Sequence, residues 1–172
     1  PAFALGAAAT AHADLRSGTD DVVMGAVSVE LVHLGSLYHD DVMDEATTRR
    51  TVESVNARWG NLTAILAGDF LLAKASEIAA SLGTEVAGLL ASTIGRLCEG
   101  QVLELQRMFD PTRTEADYLA SIGGKTAALF ATACRIGGIV GGMTPQQIDD
   151  LTAFGHGYGM AFQSVDGVLD VT

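Results

Sequence analysis

Only three prolines, Pro1, Pro111 and Pro145, stand in 172 residues, and no run shows the strict apolar/polar alternation of a half-buried strand. Gly and Ala are frequent, and with the missing alternation this predicts a chain that is helical almost throughout, an all-α fold. A chain of this length, 48% hydrophobic, is enough for one domain with a single core, spanning residues 1–172. The expected helices run over 2–15, about 20–44, 61–81, 84–108, about 115–136 and from Pro145 onward. Residues 47–59 read as a loop and a short helix. In the second helix Val23, Val27, Leu31, Leu34 and Leu37 recur at three and four residues and predict its core face. Small residues on the next long helix, Ala64, Ala67, Gly68, Ala75, Ala79 and Ala80, favour close helix packing. Gly137-Gly138 and Gly141-Gly142 read as breaks, and Thr114 and Thr144 as helix starts.

A formal net charge of -11 argues against a nucleic-acid or anionic-membrane surface, which needs basic patches. An acidic chain handling a polyanion requires mediating cations. Cys98 and Cys134 match no metal or redox spacing and read as buried small apolar residues in a reducing, cytoplasmic setting. Asp69 and Arg135 interrupt the longest apolar runs, so no transmembrane segment is expected. The opening at Pro1, without an initiator methionine, and the stop just after an acidic cluster read as a domain cut at both ends.

That domain carries two acidic clusters. In His39-Asp40-Asp41-Val42-Met43-Asp44 a helix places Asp40 and Asp44 one turn apart on one face, with Asp41 beside them. Like charges this close disfavour one another's ionisation, and at a helix C-terminus they also oppose the dipole, a cost of a few tenths to ~1 kcal/mol. A bound cation offsets both. Mg2+ suits the set, because it takes one or two carboxylates plus substrate phosphates, and Arg49-Arg50 can take the remaining phosphate oxygens. The alternative is a solvated acidic helix end followed by a basic turn. Asp166 and Asp170 repeat the four-residue spacing, with Gln163 a turn earlier; alone they also read as an exposed helix face. Lys125-Thr126 suits a phosphate or a snorkelling surface lysine. Gln101 and Glu104, a turn apart in an apolar helix, need partners if buried. His33 and His39 flank the first cluster as supporting residues rather than ligands.

Taken in order, Asp40-Asp41-Val42-Met43-Asp44, Arg49-Arg50, Leu66-Ala67-Gly68-Asp69, Gly100-Gln101, Lys125-Thr126 and Phe162-Gln163-Ser164-Val165-Asp166-Gly167-Val168-Leu169-Asp170 resemble the trans-isoprenyl (polyprenyl) diphosphate synthases. The ordered set covers nearly the whole chain. The resemblance implies an isoprenoid-synthase-type helical bundle with a central active-site cavity. It also implies a prenyltransferase that condenses isopentenyl diphosphate with an allylic diphosphate, and a homodimer. By that analogy Asp40, Asp44, Asp166 and Asp170 hold Mg2+, three ions with the diphosphate bound, and Asp41 supports them. Arg49, Lys125, Thr126 and Gln163 contact the allylic diphosphate, Arg50 contacts isopentenyl diphosphate, and Gln101 is a further substrate-binding residue.

In the family, bulky residues just before the first aspartates close the product channel early. Gly35 and Ser36, with Val32 a turn below, leave it open here and imply a long-chain product. Three positions depart from the family pattern: Gly167 for a second Asp, Thr51 for the Gly after the arginine pair, and Glu104 for a frequent Asp. The family's Gly-Gly-Lys segment would precede Pro1 and its downstream lysine would follow Thr172. A non-catalytic partner subunit and a terpene cyclase on the same fold are the competing readings. The complete Asp40–Arg50 motif argues against both, and Gly167 favours the first.

Overall fold

The structure, a computed structural model, describes residues 1–11, 20–107 and 110–169. Its helices are α1 (Ala2–Ala11), α2 (Asp20–Met43), α3 (Val55–Trp59), α4 (Asn61–Ser81), α5 (Thr84–Arg107), α6 (Glu115–Ile122), α7 (Ala128–Val140) and α8 (Pro145–Leu169). A π-helical segment, Gly123–Ala127, joins α6 to α7, and an antiparallel hairpin of β1 (Thr48–Arg49) and β2 (Val52–Glu53) joins α2 to α3. The hairpin was not legible as such in the loop expected over 47–59.

Several helix ends follow local chemistry. Thr114 and Asp117 form a capping box at α6, and Thr144 with Gln147 does the same at α8. The carboxyl end of α2 is a Schellman motif: Glu45 sits at φ 51°, Ala46 N–H donates to the Asp41 carbonyl (2.9 Å) and Glu45 N–H to that of Val42 (3.4 Å). The helix expected over 115–136 is divided by the π-helical turn. Gly137-Gly138 do not break α7, which runs through them to Val140 with Gly137 packed on the α1 backbone at Ala4.

The core joins Ala4, Ala26, Val29, Val32, Ala75, Ala79, Val86, Leu90, Ala133 and Ile136. On α2 the buried residues are Val22, Gly25, Ala26, Ser28, Val29, Val32, Gly35 and Asp41, so the predicted core face is wrong in register. Val23 and Val27 are exposed, and Leu31, Leu34 and Leu37 lie half-buried at the flank. The reason is that α2 is apolar on nearly every side, so periodicity does not select a seam. The seam goes to the small residues, because they let α4, through Ala64, Gly68, Ala75 and Ala79, approach closely. At the crossing, a Cβ on Gly35 would lie 3.0 Å from the Gly68 carbonyl and 3.2 Å from Leu72, and one on Gly68 would strike the His39 ring. A second close crossing joins α5 to the π-helical segment, where a Cβ on Gly124 would lie 2.9 Å from the Arg96 carbonyl and 3.1 Å from Gly100.

By length and composition alone α2 is long and apolar enough to cross a membrane, a test that core helices also meet. It packs against α1, α4 and α7 and carries Asp40 and Asp41 at its end. Cys134 is buried, as expected, and burial pushes its thiol up to about 11. Cys98 is exposed, against expectation; its position on α5 turns away from the core.

Candidate active site

The last turn of α2 carries its carboxylates to the hairpin, where Arg49 meets them, with the charges of Glu104 on α5 and Lys125 on the π-helical segment acting on Asp40. Asp41 is 2% exposed, and Arg49 reaches back from β1 to donate Nε–H (2.8 Å) and an Nη2–H (2.6 Å) to its Oδ1. Asp41 is therefore buried and engaged by an arginine. The Asp41 hydrogen bond holds the Arg49 guanidinium above its ordinary pKa. Asp40 is half-buried, and its carboxyl is pushed up, first by desolvation. Lys125 and Arg49 pull it down, while Asp44 and Glu104 push it further up. The charges of two cations and two further carboxylates thus act on Asp40 together. Asp44 and Arg50 are exposed, with Arg50 in the hairpin turn.

The π-helical segment supplies the opposite wall. Lys125 Nζ donates to Glu104 on α5 (2.7 Å), and Thr126 Oγ1 donates to Gln163 Oε1 on α8 (2.8 Å). π-helical turns of this kind occur frequently at functional sites. Glu104 therefore pairs with the lysine and not with Gln101, whose buried Oε1 has no partner. Such an atom costs about 1–3 kcal/mol unless a ligand or water serves it. Asp166 is exposed, and Asp170 lies outside the described residues. At Gly167 a Cβ would lie 3.0 Å from the Tyr118 hydroxyl, which donates to the Gln163 carbonyl (3.4 Å).

His39 Nε2–H donates to the Ile65 carbonyl (3.2 Å) and lies 3.3 Å from Asp69, tying α2 to α4 beside the acidic cluster. His33 is half-buried, and desolvation lowers its pKa. The chain-length positions fall differently from the expectation. Val32 is fully buried in the core, and Gly35 faces α4, whereas Ser36 is half-buried with its hydroxyl bonded to the His33 carbonyl (2.8 Å). Sequence reasoning missed Ser54 and Asn56, which hold the hairpin stem. The cap signal of a Ser before a short helix was the only trace of them.

Among the described residues no three His, Cys, Asp or Glu side chains converge as a ready metal cage. The donor set fits a cation that completes its shell from a phosphate ligand: Asp40 and Asp44 lie one turn apart, and Asp40 is desolvated beside like charges. Two hollows, of about 350 and 310 Å3, lie elsewhere, between α5, α6 and α8 and between α1, α7 and α8. Neither is lined by the aspartates.

Residues 2–172 match the polyprenyl synthetase family. The chain is 44% identical over 149 residues to the nonaprenyl diphosphate synthase of Mycobacterium tuberculosis, covering 87% of this chain and 44% of that protein. It is 38% identical over 178 residues to the geranylgeranyl diphosphate synthase of Methanosarcina mazei, covering 100% and 54%. A solved polyprenyl synthase from Caulobacter crescentus, complexed with calcium and isoprenyl diphosphate, superposes with a TM-score of 0.92 at 35% identity, covering 98% of this chain and 50% of that one. The chain spans about half the length of the relatives it matches.

Proposed function

Because this chain belongs to the polyprenyl synthetase family, we propose that it carries the diphosphate-ionising half-site of a prenyltransferase that joins isopentenyl diphosphate to an allylic diphosphate. The observation that carries this reading is a pair of ion pairs, Arg49–Asp41 and Lys125–Glu104, the second beside the Thr126–Gln163 bond, whose charges both act on the Asp40 carboxyl. Cations and carboxylates arranged in this way suit a diphosphate bridged by divalent metal.

In this reading Asp40, Asp44, Asp166 and Asp170 hold Mg2+, three ions with the diphosphate bound. The metal supplies charge neutralisation for the departing diphosphate. Arg49 and Lys125 bind its oxygens, Thr126, Gln163 and Gln101 orient it, and Arg50 binds isopentenyl diphosphate. Asp41 holds the Arg49 guanidinium in place, so it acts as a positioning residue. The allylic cation is attacked by the isopentenyl double bond, and the proton lost goes to the released diphosphate. The chain's contribution is preorganised charge and position.

A long-chain product is supported by the small side chain at Ser36 and by the nonaprenyl relative. A homodimer is supported by Leu62, Leu66 and Phe70 on α4, which are 59–71% exposed at four-residue spacing. The reaction is assigned to the cytoplasm. The test incubates the intact protein with Mg2+, isopentenyl diphosphate and farnesyl or geranylgeranyl diphosphate, then chromatographs the products. Elongated, Mg2+-dependent products are expected. Binding of both substrates without turnover would overturn the catalytic reading in favour of a partner subunit.

A further inference from the structure

The hairpin that presents Arg49 and Arg50 cannot hold itself. Its strands are two residues each, Thr48, Arg50, Thr51, Val52 and Glu53 are exposed, and an isolated hairpin is marginal in water even when longer. Arg50 and Thr51 both occupy positive φ, at 50° and 69°, as a two-residue hairpin turn requires, but neither residue type favours that backbone. Its order must come from its two ends.

At one end Arg49 grips the Asp41 side chain. At the other, three bonds close the stem: Ser54 N–H donates to the Thr47 carbonyl (3.1 Å), Ser54 Oγ–H to that of Ala46 (2.6 Å), and Asn56 Nδ2 to the same Ala46 carbonyl (3.0 Å). The second Asn56 amide hydrogen goes to the Asp41 carbonyl (3.1 Å). One side chain thus bridges the last turn of α2 and the hairpin stem. Asp41 is held twice, by its carbonyl through Asn56 and by its carboxylate through Arg49.

The chemistry of Asn56 also points to position rather than stability. Both carbonyls have other donors, Ala46 N–H for Asp41 and Ser54 Oγ–H for Ala46, so neither depends on the amide for satisfaction. Meanwhile Asn56 Oδ1 is buried without a partner, a cost that local stability alone does not explain. We propose that Asn56, with Ser54, is a positioning residue that sets the distance between the arginine pair and the carboxylates of α2, and so the geometry in which a diphosphate is gripped. This role rests on the diphosphate-binding function proposed above.

The test compares the intact parent with Asn56→Ala and the near-isosteric non-donor Asn56→Asp. It uses calorimetric titration of inorganic diphosphate with Mg2+, substrate kinetics and thermal unfolding. Both variants should bind diphosphate about ten-fold more weakly, with the loss in KM and little change in kcat. Asn56→Ala should melt within about 4 °C of the parent, because it leaves no carbonyl orphaned. Parental affinity in Asn56→Ala, parental affinity in Asn56→Asp, or a loss that tracks a larger drop in melting temperature overturns the positioning role alone. A parent that does not bind diphosphate sinks the functional reading and this role together.

Discussion

The Asp41–Arg49 pair predicts an asymmetry that can be measured. The Asp41 side chain is 3% exposed and that of Arg49 is 37% exposed. Removing the arginine therefore strands a buried carboxylate, whereas removing the carboxylate leaves a guanidinium that can turn to water. Breaking a fully buried pair costs about 3–5 kcal/mol. Arg49→Met should approach the low end, about 3 kcal/mol, since only one partner is buried. Asp41→Asn should cost about 1–2 kcal/mol, because its amide oxygen still accepts one arginine N–H and the exposed arginine is screened by solvent. For a chain of this size the first corresponds to roughly 6–12 °C in melting temperature. Urea unfolding of both single variants and the double variant at low and moderate salt gives the two costs and their coupling. Equal costs, or a larger one for Asp41→Asn, would refute the view that burial of the carboxylate controls this corner.

Other consequences are as specific. Thr51→Gly should stabilise the protein by about 0.5–1 kcal/mol in a thermal melt, since left-handed backbone costs a β-branched residue about 1–2 kcal/mol and glycine returns part of that as chain entropy. Gly100→Ala would drive a Cβ into the backbone of the π-helical segment, 2.9 Å from Gly124 C and Ser121 O. It should cost about 2–3 kcal/mol by urea titration and weaken diphosphate binding through Lys125. Burial raises the folded pKa of Asp40 above its unfolded value, so between the two the native state binds more protons and stability falls as pH rises. Metal-free Asp40→Asn should therefore be more stable than the parent above that window, equal to it below, and inactive; a gain independent of pH would contradict this. Ser36→Phe should shorten the chromatographed product, and an unchanged length would remove Ser36 from chain-length control. Gly35→Phe is a poor test, because its side chain would enter the α2–α4 seam.

The legible parts of this protein were those written in local chemistry. Few prolines and missing alternation implied helices, Thr114 and Thr144 marked two of their starts, and the four-residue spacing of Asp40 and Asp44 put both on one helical face. These depend on backbone geometry and nearest neighbours alone, so sequence suffices. Tertiary structure decided what long-range packing controls. Which face of α2 is core followed from how closely α4 could approach, and a helix apolar all round holds no record of that choice. The same holds for the site. In the sequence Asp41 is a supporting carboxylate of the metal set with no stated partner, and only burial and the reach of Arg49 from the hairpin show that it holds the arginine. Glu104 and Lys125 lie 21 residues apart and meet only because glycines at 100 and 124 let two backbones touch. Ser54 and Asn56 looked like ordinary loop residues until the fold placed two α2-end carbonyls within reach.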